Sequence, residues 1–271
     1  MTPRPTATGG AHYEGISFSL PTGYRPLQLD LHVPGGAGGP VPVVVWIHGG
    51  AFWSGDRRYL PDTMAAGSVF EALLDAGLAV ATIDYRLSGE ILFPGQLDDV
   101  LAALRYLRTF AGTLGLDPGR IGVWGESAGG TLAALAALTT QDISAAVLWY
   151  PLTDLSTVDP DSTDSPEARL IGGAPARLPE QAARASPVSH VSPSAPPFLL
   201  VHGTADTLLP AEQSERLHHS LLRAGARSEF VPVEGAGHCF ADCDDITALI
   251  TRSVDFLRGE LAPRARTATD T

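Results

Sequence analysis

An α/β domain with a mostly parallel central sheet flanked by helices is the fold class the sequence predicts. Three observations predict it. Short apolar, β-branched runs alternate with longer stretches of helical period. Runs such as Val43–Ile47 are apolar at every position, as strands are when both faces are covered. The 271 residues, 44% of them hydrophobic, are enough to bury one sizeable core. A single domain is expected over residues 1–258.

The elements follow in chain order. Ile16–Leu20 and Leu27–Val33 read as antiparallel strands around a turn at Pro21-Thr22-Gly23. A Gly/Pro-rich loop, Pro34 to Pro42, leads into the buried strand Val43–Ile47. A helix is predicted over Asp62 to Ala76, stopped by Gly77, then a strand at Leu78–Ile83. Pro94 opens a long helix through about Leu114, whose Leu97, Val100, Leu101, Leu104 and Leu107 keep the i, i+3, i+4, i+7 spacing. Ile121–Trp124 is a short strand followed by the alanine-rich helix Thr131 to Leu138. Ala145–Tyr150, Phe198–Val201 and Glu229–Val233 are the remaining strands. Ala211 to Ala224 and Ile246 to Leu257 are the remaining long helices.

Leu152 to Pro197 breaks this rhythm. It is rich in Pro, Ser, Asp and Ala and holds no strand pattern. Long insertions of this kind in compact enzymes usually serve as caps or lids, so 152–197 is expected to be one, with short helices at Pro166–Ile171 and Pro179–Ala185. The polar residues 259–271 are expected to form a disordered tail.

Charge and composition narrow the function. The net charge is −12, and all 18 basic residues are arginine. That balance excludes a nucleic-acid partner, which needs concentrated Lys and Arg. No apolar run reaches the roughly 20 residues of a membrane span, and Met1 to Gly10 lacks a signal-peptide core, so no membrane association and a cytoplasmic location are expected. Cys239 and Cys243 are spaced as neighbours on one helix and read as structural thiols, with a reversible disulfide as the minor alternative. No Cys/His cluster completes a metal site, and no cofactor is expected.

The chemistry centres on Gly125-Glu126-Ser127-Ala128-Gly129. A Gly-x-Ser-x-Gly run is short, but here it joins an apolar strand to a small-residue helix, the setting of a nucleophile elbow. The Ser backbone must be strained there, so its flanks must be small. A serine hydroxyl also needs a base. Of the eight histidines, His238 stands out, in the flexible loop Gly235-Ala236-Gly237-His238 after the last strand. The orienting carboxylate is Asp206, just past the strand Phe198–Val201, although an Asp there could also be a helix cap. Gly50 and Ala51 in His48-Gly49-Gly50-Ala51-Phe52-Trp53, together with Ala128, are the expected oxyanion-hole N–H donors. His48 precedes the glycines and reads as a loop brace. Phe52 and Trp53 are candidates for the substrate pocket.

These residues resemble the α/β-hydrolase fold esterases, in the branch near hormone-sensitive lipase and the bacterial acetyl/feruloyl esterases. The resemblance covers most of the chain. It is carried by Asp30-Leu31-His32-Val33-Pro34, His48 to Asp56, Asp84-Tyr85-Arg86-Leu87, Phe93 to Asp99, Gly125 to Gly130, His202 to Asp206 and Gly237-His238. Relatives near hormone-sensitive lipase carry a third glycine where this chain has Ala51, which still offers an N–H. The resemblance implies a Ser127, Asp206, His238 triad acting on small or short-chain acyl esters, and makes Glu126 a structural neighbour of the elbow. It implies that Asp84-Tyr85-Arg86 and Asp99 brace the site. Arylformamidase-like or natural-product-tailoring hydrolysis is the alternative chemistry, and a non-catalytic ligand-binding homologue the non-enzyme one. The expected partner is a small-molecule ester. Exposed edge strands could support a homodimer, but nothing in the sequence fixes an oligomeric state.

Overall fold

The structure, a computed structural model, describes residues 2–6 and 9–263. Among the described residues nine strands form one sheet: β1 (Arg4–Pro5), β2 (Ala11–Ser19), β3 (Leu27–Val33), β4 (Val41–Ile47), β5 (Ala79–Ile83), β6 (Leu116–Glu126), β7 (Ala145–Trp149), β8 (Phe198–Gly203) and β9 (Ser228–Val233). Their spatial order is β1-β2-β3-β5-β4-β6-β7-β8-β9. The pairs β1–β2, β2–β3 and β3–β5 are antiparallel. From β5 through β4 to β9 the sheet is parallel. This is the α/β-hydrolase fold that the sequence predicts.

Alternation along the strands splits the core in two. Val43, Val45 and Ile47 face one layer, with α2 (Gly95–Thr109), α4 (Ala128–Thr139) and α7 (Glu212–Arg223). Val44 and Trp46 face the other, with α1 (Ser68–Asp75) and α8 (Ile246–Glu260). In that second layer Trp46, Trp124 and Trp149 meet edge to face, at ring separations of 5.7 and 4.9 Å. Trp149 donates its Nε1–H to Ser253 Oγ at 3.1 Å, which satisfies a donor buried inside an apolar layer.

Several features differ from the sequence reading, and the following have a physical reason. β2 begins at Ala11, well before Ile16, because a bulge between Tyr13 and Ile16 interrupts its alternation. α1 starts only at Ser68. Gly67 before it has φ +78, and Thr63 donates to the carbonyl of Cys239 at 2.6 Å, so the segment from Asp62 turns toward the His238 loop. The helix from Gly95 breaks at Phe110 into α2 and the short α3 (Ala111–Leu114), which Gly115 closes at φ +72. Cys239 and Cys243 do not share a helix. Cys239, Phe240 and Asp242 take φ values of 57, 57 and 63, and no helix passes through such a run. Both cysteines are free thiols, and burial pushes Cys239 up to about 12.

The segment between β7 and β8 holds α5 (Pro166–Ile171) and α6 (Pro179–Ala185), with 3₁₀ turns around them. Gln213, buried on α7, anchors its start: Oε1 accepts the N–H groups of Thr153 and Asp154, both at 2.9 Å. α8 continues to Glu260, past the Gly259 where the tail was expected to begin, and residues 264–271 lie outside the described residues. Among the described residues no helix is long and apolar enough to cross a membrane.

Candidate active site

The strained turn at Ser127 is steric in origin. β6 ends at Glu126, α4 starts at Ala128, and Ser127 between them has φ 51 and ψ −122. Such a conformation costs an L-residue of order 1–3 kcal/mol. It survives because the turn is packed on both sides. A Cβ on Gly125 would strike the carbonyl of Gly129, and one on Gly129 would strike the carbonyls of Ile47 and His48. Ser127 stands at the N-terminal end of α4, where the helix dipole favours negative charge.

The loop after β4 packs against this elbow. Gly49 donates its N–H to Glu126 Oε1, and a Cβ on Gly49 would collide with that carboxyl. His48 is buried, its ring stacked on Tyr85 at 4.3 Å, with Nδ1–H donating to the Gly49 carbonyl at 2.8 Å. Burial lowers the His48 pKa to about 4, so it is a neutral brace at neutral pH. Tyr85 OH donates to the His48 carbonyl at 3.0 Å, and Asp99 holds Arg86 through Nε and Nη2, both at 2.8 Å. Gly50, Ala51 and Phe52 then take φ values of 94, 55 and 64. Among the described residues the N–H groups of Gly50, Ala51 and Ala128 donate to no other protein group. Ala51 and Ala128 line the cavity beside Ser127; Gly50 lies outside its lining, packed against the Ser54 backbone.

Two further loops bring the acid and the histidine together. A Cβ on Gly203 would strike the carbonyl of Ala236, so only glycine lets the β8 and β9 loops approach so closely. Ala205 N–H then reaches the Ala236 carbonyl at 3.0 Å, and Gly235 N–H reaches Thr204 Oγ1 at 2.9 Å. The result is a chain of bonds. His238 Nδ1 lies 2.7 Å from Asp206 Oδ2, and His238 Nε2 lies 3.0 Å from Ser127 Oγ.

Electrostatics fixes the proton positions in that chain. Burial works to raise the Asp206 pKa, but bonds from His202, His238 and Leu209 N–H outweigh it and hold the carboxyl well below the usual carboxylate range. An ionised Asp206 can only accept, so Nδ1 of His238 carries the hydrogen and Nε2 is left to accept from Ser127. Asp206 Oδ1 is occupied by the N–H groups of Leu208 and Leu209, both at 2.9 Å. The fully buried His202 lies beneath, its Nε2 2.8 Å from the Leu209 carbonyl and 3.4 Å from Asp206 Oδ2.

Glu126 is the second carboxyl in this region. Its burial raises its pKa from 4.5 to about 7, although the Gly49 N–H and the nearby His238 and Tyr150 favour the charged form. A raised acid stabilises the fold below its unfolded pKa and loses that contribution as pH rises through the folded one. Relative to Glu126→Gln, which keeps an acceptor for Gly49, the wild-type protein is expected to lose on the order of 3 kcal/mol between about pH 4.5 and 7. Urea unfolding of both proteins at pH 5 and pH 8 measures this. Equal pH dependence of the two would refute it.

An apolar cavity of about 330 Å³ opens beside Ser127. Phe52 and Trp53 line it; Phe52 is buried, and Trp53 is 42% exposed with Arg169 over its ring at 4.4 Å. Sequence reasoning missed Leu152, Val158, Asp159, Pro166, Glu167, Leu208 and Leu209, which complete the wall from the insertion and the Asp206 loop. The pair Leu208-Leu209 directly after the acid was an available signal; nothing local marked Glu167. Among the described residues no three His, Cys, Asp or Glu side chains are grouped to hold a metal ion.

A family model described as BD-FAE matches residues 29–221. Esterase LipC of Mycobacterium tuberculosis is 33% identical over 221 residues, which are 74% of this chain and 53% of that protein. The chain spans about half the length of the first curated relatives it matches. Among solved structures, a truncated carbohydrate esterase from gut microbiota superposes with a TM-score of 0.84 at 28% identity, covering 96% of this chain and 99% of that one. Thermogutta terrifontis esterase 2 phosphorylated by paraoxon superposes with a TM-score of 0.75 at 25% identity, covering 93% and 96%.

Proposed function

The chain belongs to the BD-FAE family, and from that premise we propose that it is a carboxylesterase-type serine hydrolase acting on small or short-chain acyl esters. One observation carries the reading: a continuous Ser127–His238–Asp206 hydrogen-bond chain, at 3.0 and 2.7 Å, beside a small apolar cavity.

Ser127 Oγ attacks the ester carbonyl while His238 Nε2 takes its proton. Asp206 stabilises the imidazolium that forms and keeps it aligned. The carbonyl oxygen becomes an oxyanion and accepts N–H bonds from Ala51 and Ala128, with Gly50 holding the loop open or adding a third. Collapse of the intermediate expels the alcohol, which receives the proton from His238. Water, deprotonated by the same histidine, then releases the acid and restores Ser127. The cavity of about 330 Å³, at the small end of ligand sites, favours small acyl groups. In this reading residues 152–197 act as a cap, supplying Leu152, Val158 and Glu167 to the wall.

An organophosphorus ester such as paraoxon tests the reading directly. It is expected to transfer one phosphoryl group to Ser127, found by peptide mass spectrometry, with parallel loss of aryl-ester hydrolysis. A labelled residue other than Ser127, or activity that survives complete labelling, would overturn it.

A further inference from the structure

The catalytic carboxylate has a second imidazole against it. His202, near the end of β8, is fully buried beneath Asp206. Its Nε2 stands 2.8 Å from the Leu209 carbonyl and 3.4 Å from Asp206 Oδ2, the oxygen that His238 Nδ1 meets at 2.7 Å. A carbonyl and an ionised carboxylate only accept, so His202 Nε2 carries a hydrogen. The other ring nitrogen agrees. Nδ1 lies 2.8 Å from the hydroxyl of Ser214, a fully buried residue of α7 whose side chain has no other hydrogen-bond partner among the described residues. A buried hydroxyl hydrogen needs an acceptor, so Ser214 donates and Nδ1 accepts. His202 is thereby fixed as the neutral tautomer, with its one ring N–H turned to the loop that carries the acid.

That single N–H acts on both oxygens of Asp206. It touches Oδ2 directly, through the longer contact. It reaches Oδ1 through Leu209, whose carbonyl it holds and whose own N–H bonds to Oδ1 at 2.9 Å. We propose that His202 is a positioning residue for the catalytic carboxylate: its Nε2–H keeps Asp206 Oδ2 aimed at His238, and Ser214 locks the ring that supplies it. This role rests on the triad reading above and deepens the same site. With donors on both oxygens the carboxylate cannot turn without losing bonds, so the His238 ring keeps its Nε2 toward Ser127. Burial works against the charge on Asp206, and His202 is among the groups that offset it. An oxygen that already shares its charge with one N–H also pulls less on the His238 proton, which stays on Nδ1 when the imidazolium forms.

The test pairs two amide variants. Glutamine carries its nitrogen near the position of Nε2 and can still donate to Leu209 and Asp206. Asparagine ends near the position of Nδ1 and can meet only Ser214. We expect kcat for a chromogenic acetate ester, per mole of folded protein below both melting temperatures, to be about 10- to 100-fold lower in His202→Asn than in His202→Gln, the worth of one hydrogen bond to a charged group. A brace of β8 and α7 alone would lower the melting temperatures and leave the two folded variants equally active. A second measurement uses the wild-type protein. Phosphorylation of Ser127 by paraoxon removes the serine hydroxyl from His238 Nε2 and so alters the bond from its Nδ1 to Asp206. In proton–nitrogen NMR of histidine-labelled protein, the His202 Nε2–H resonance is expected to move with that of His238 Nδ1–H, because the two face one oxygen. Equal turnover of the two variants, His202→Asn above His202→Gln, a His202 proton on Nδ1, or a His202 resonance that stays while that of His238 moves would each overturn the proposal. Failure of paraoxon to label Ser127 would refute the serine-hydrolase reading instead, and the role of His202 with it.

Discussion

Ser127→Ala is expected to reduce kcat for a chromogenic acetate ester by on the order of 10⁶, with the fold intact. The magnitude follows from the chain of roles. Without Oγ there is no acyl-enzyme, and His238 and Asp206 have no nucleophile to activate. A rate about 10³ above that in water should remain, from substrate binding and the oxyanion-hole donors. Stability should change little. Alanine keeps the Cβ that already stands at φ 51, and the hydroxyl's side-chain hydrogen bond is to His238 Nε2. The His238 side chain is 17% exposed, so water can take the place of that bond. Steady-state kinetics and thermal unfolding of the purified variant check both halves. Retention of a tenth of the wild-type turnover would remove Ser127 from the mechanism.

How much of this was legible in the sequence depends on how local each constraint is. The elbow was legible because its steric demand falls within five residues: Gly125 must clear the Gly129 carbonyl. The alternation of buried strands and helices was legible because β4 and β7 are apolar throughout. The partners of Ser127 could be chosen because both lie in loops at the carboxyl ends of strands, where parallel sheets carry function. The rest needed tertiary pairing. Glu126 meets Gly49 across 77 positions of chain, and Thr63 meets Cys239 across 176. The second bond draws in a segment whose own pattern reads as helix. Glu167 looked like an ordinary first-turn acid on a short helix. Only the fold shows it buried, with one oxygen unpaired.

Asp206→Asn is expected to lower kcat by about 10⁴, and the reason is geometric. The carboxyl has two committed sides. Oδ1 accepts two backbone N–H groups, from Leu208 and Leu209, while Oδ2 accepts from His238 Nδ1 and faces His202 Nε2. An asparagine has one acceptor and one donor end. The two backbone donors cannot turn away, so they claim the amide oxygen and force the NH₂ group toward His238. Nδ1 must then accept, the ring proton moves to Nε2, and Nε2 points an N–H at Ser127 instead of a lone pair. The base is present, correctly placed and in the wrong tautomer. Asp206→Ala imposes no tautomer, so it should retain more activity than Asp206→Asn although it removes more of the side chain. That ordering separates proton placement from simple loss of charge, which would make the two variants equal. It also separates it from loss of packing, which would make alanine the worse one. The turnover of the two variants on the same ester decides among the three accounts, and asparagine above alanine would refute the tautomer argument.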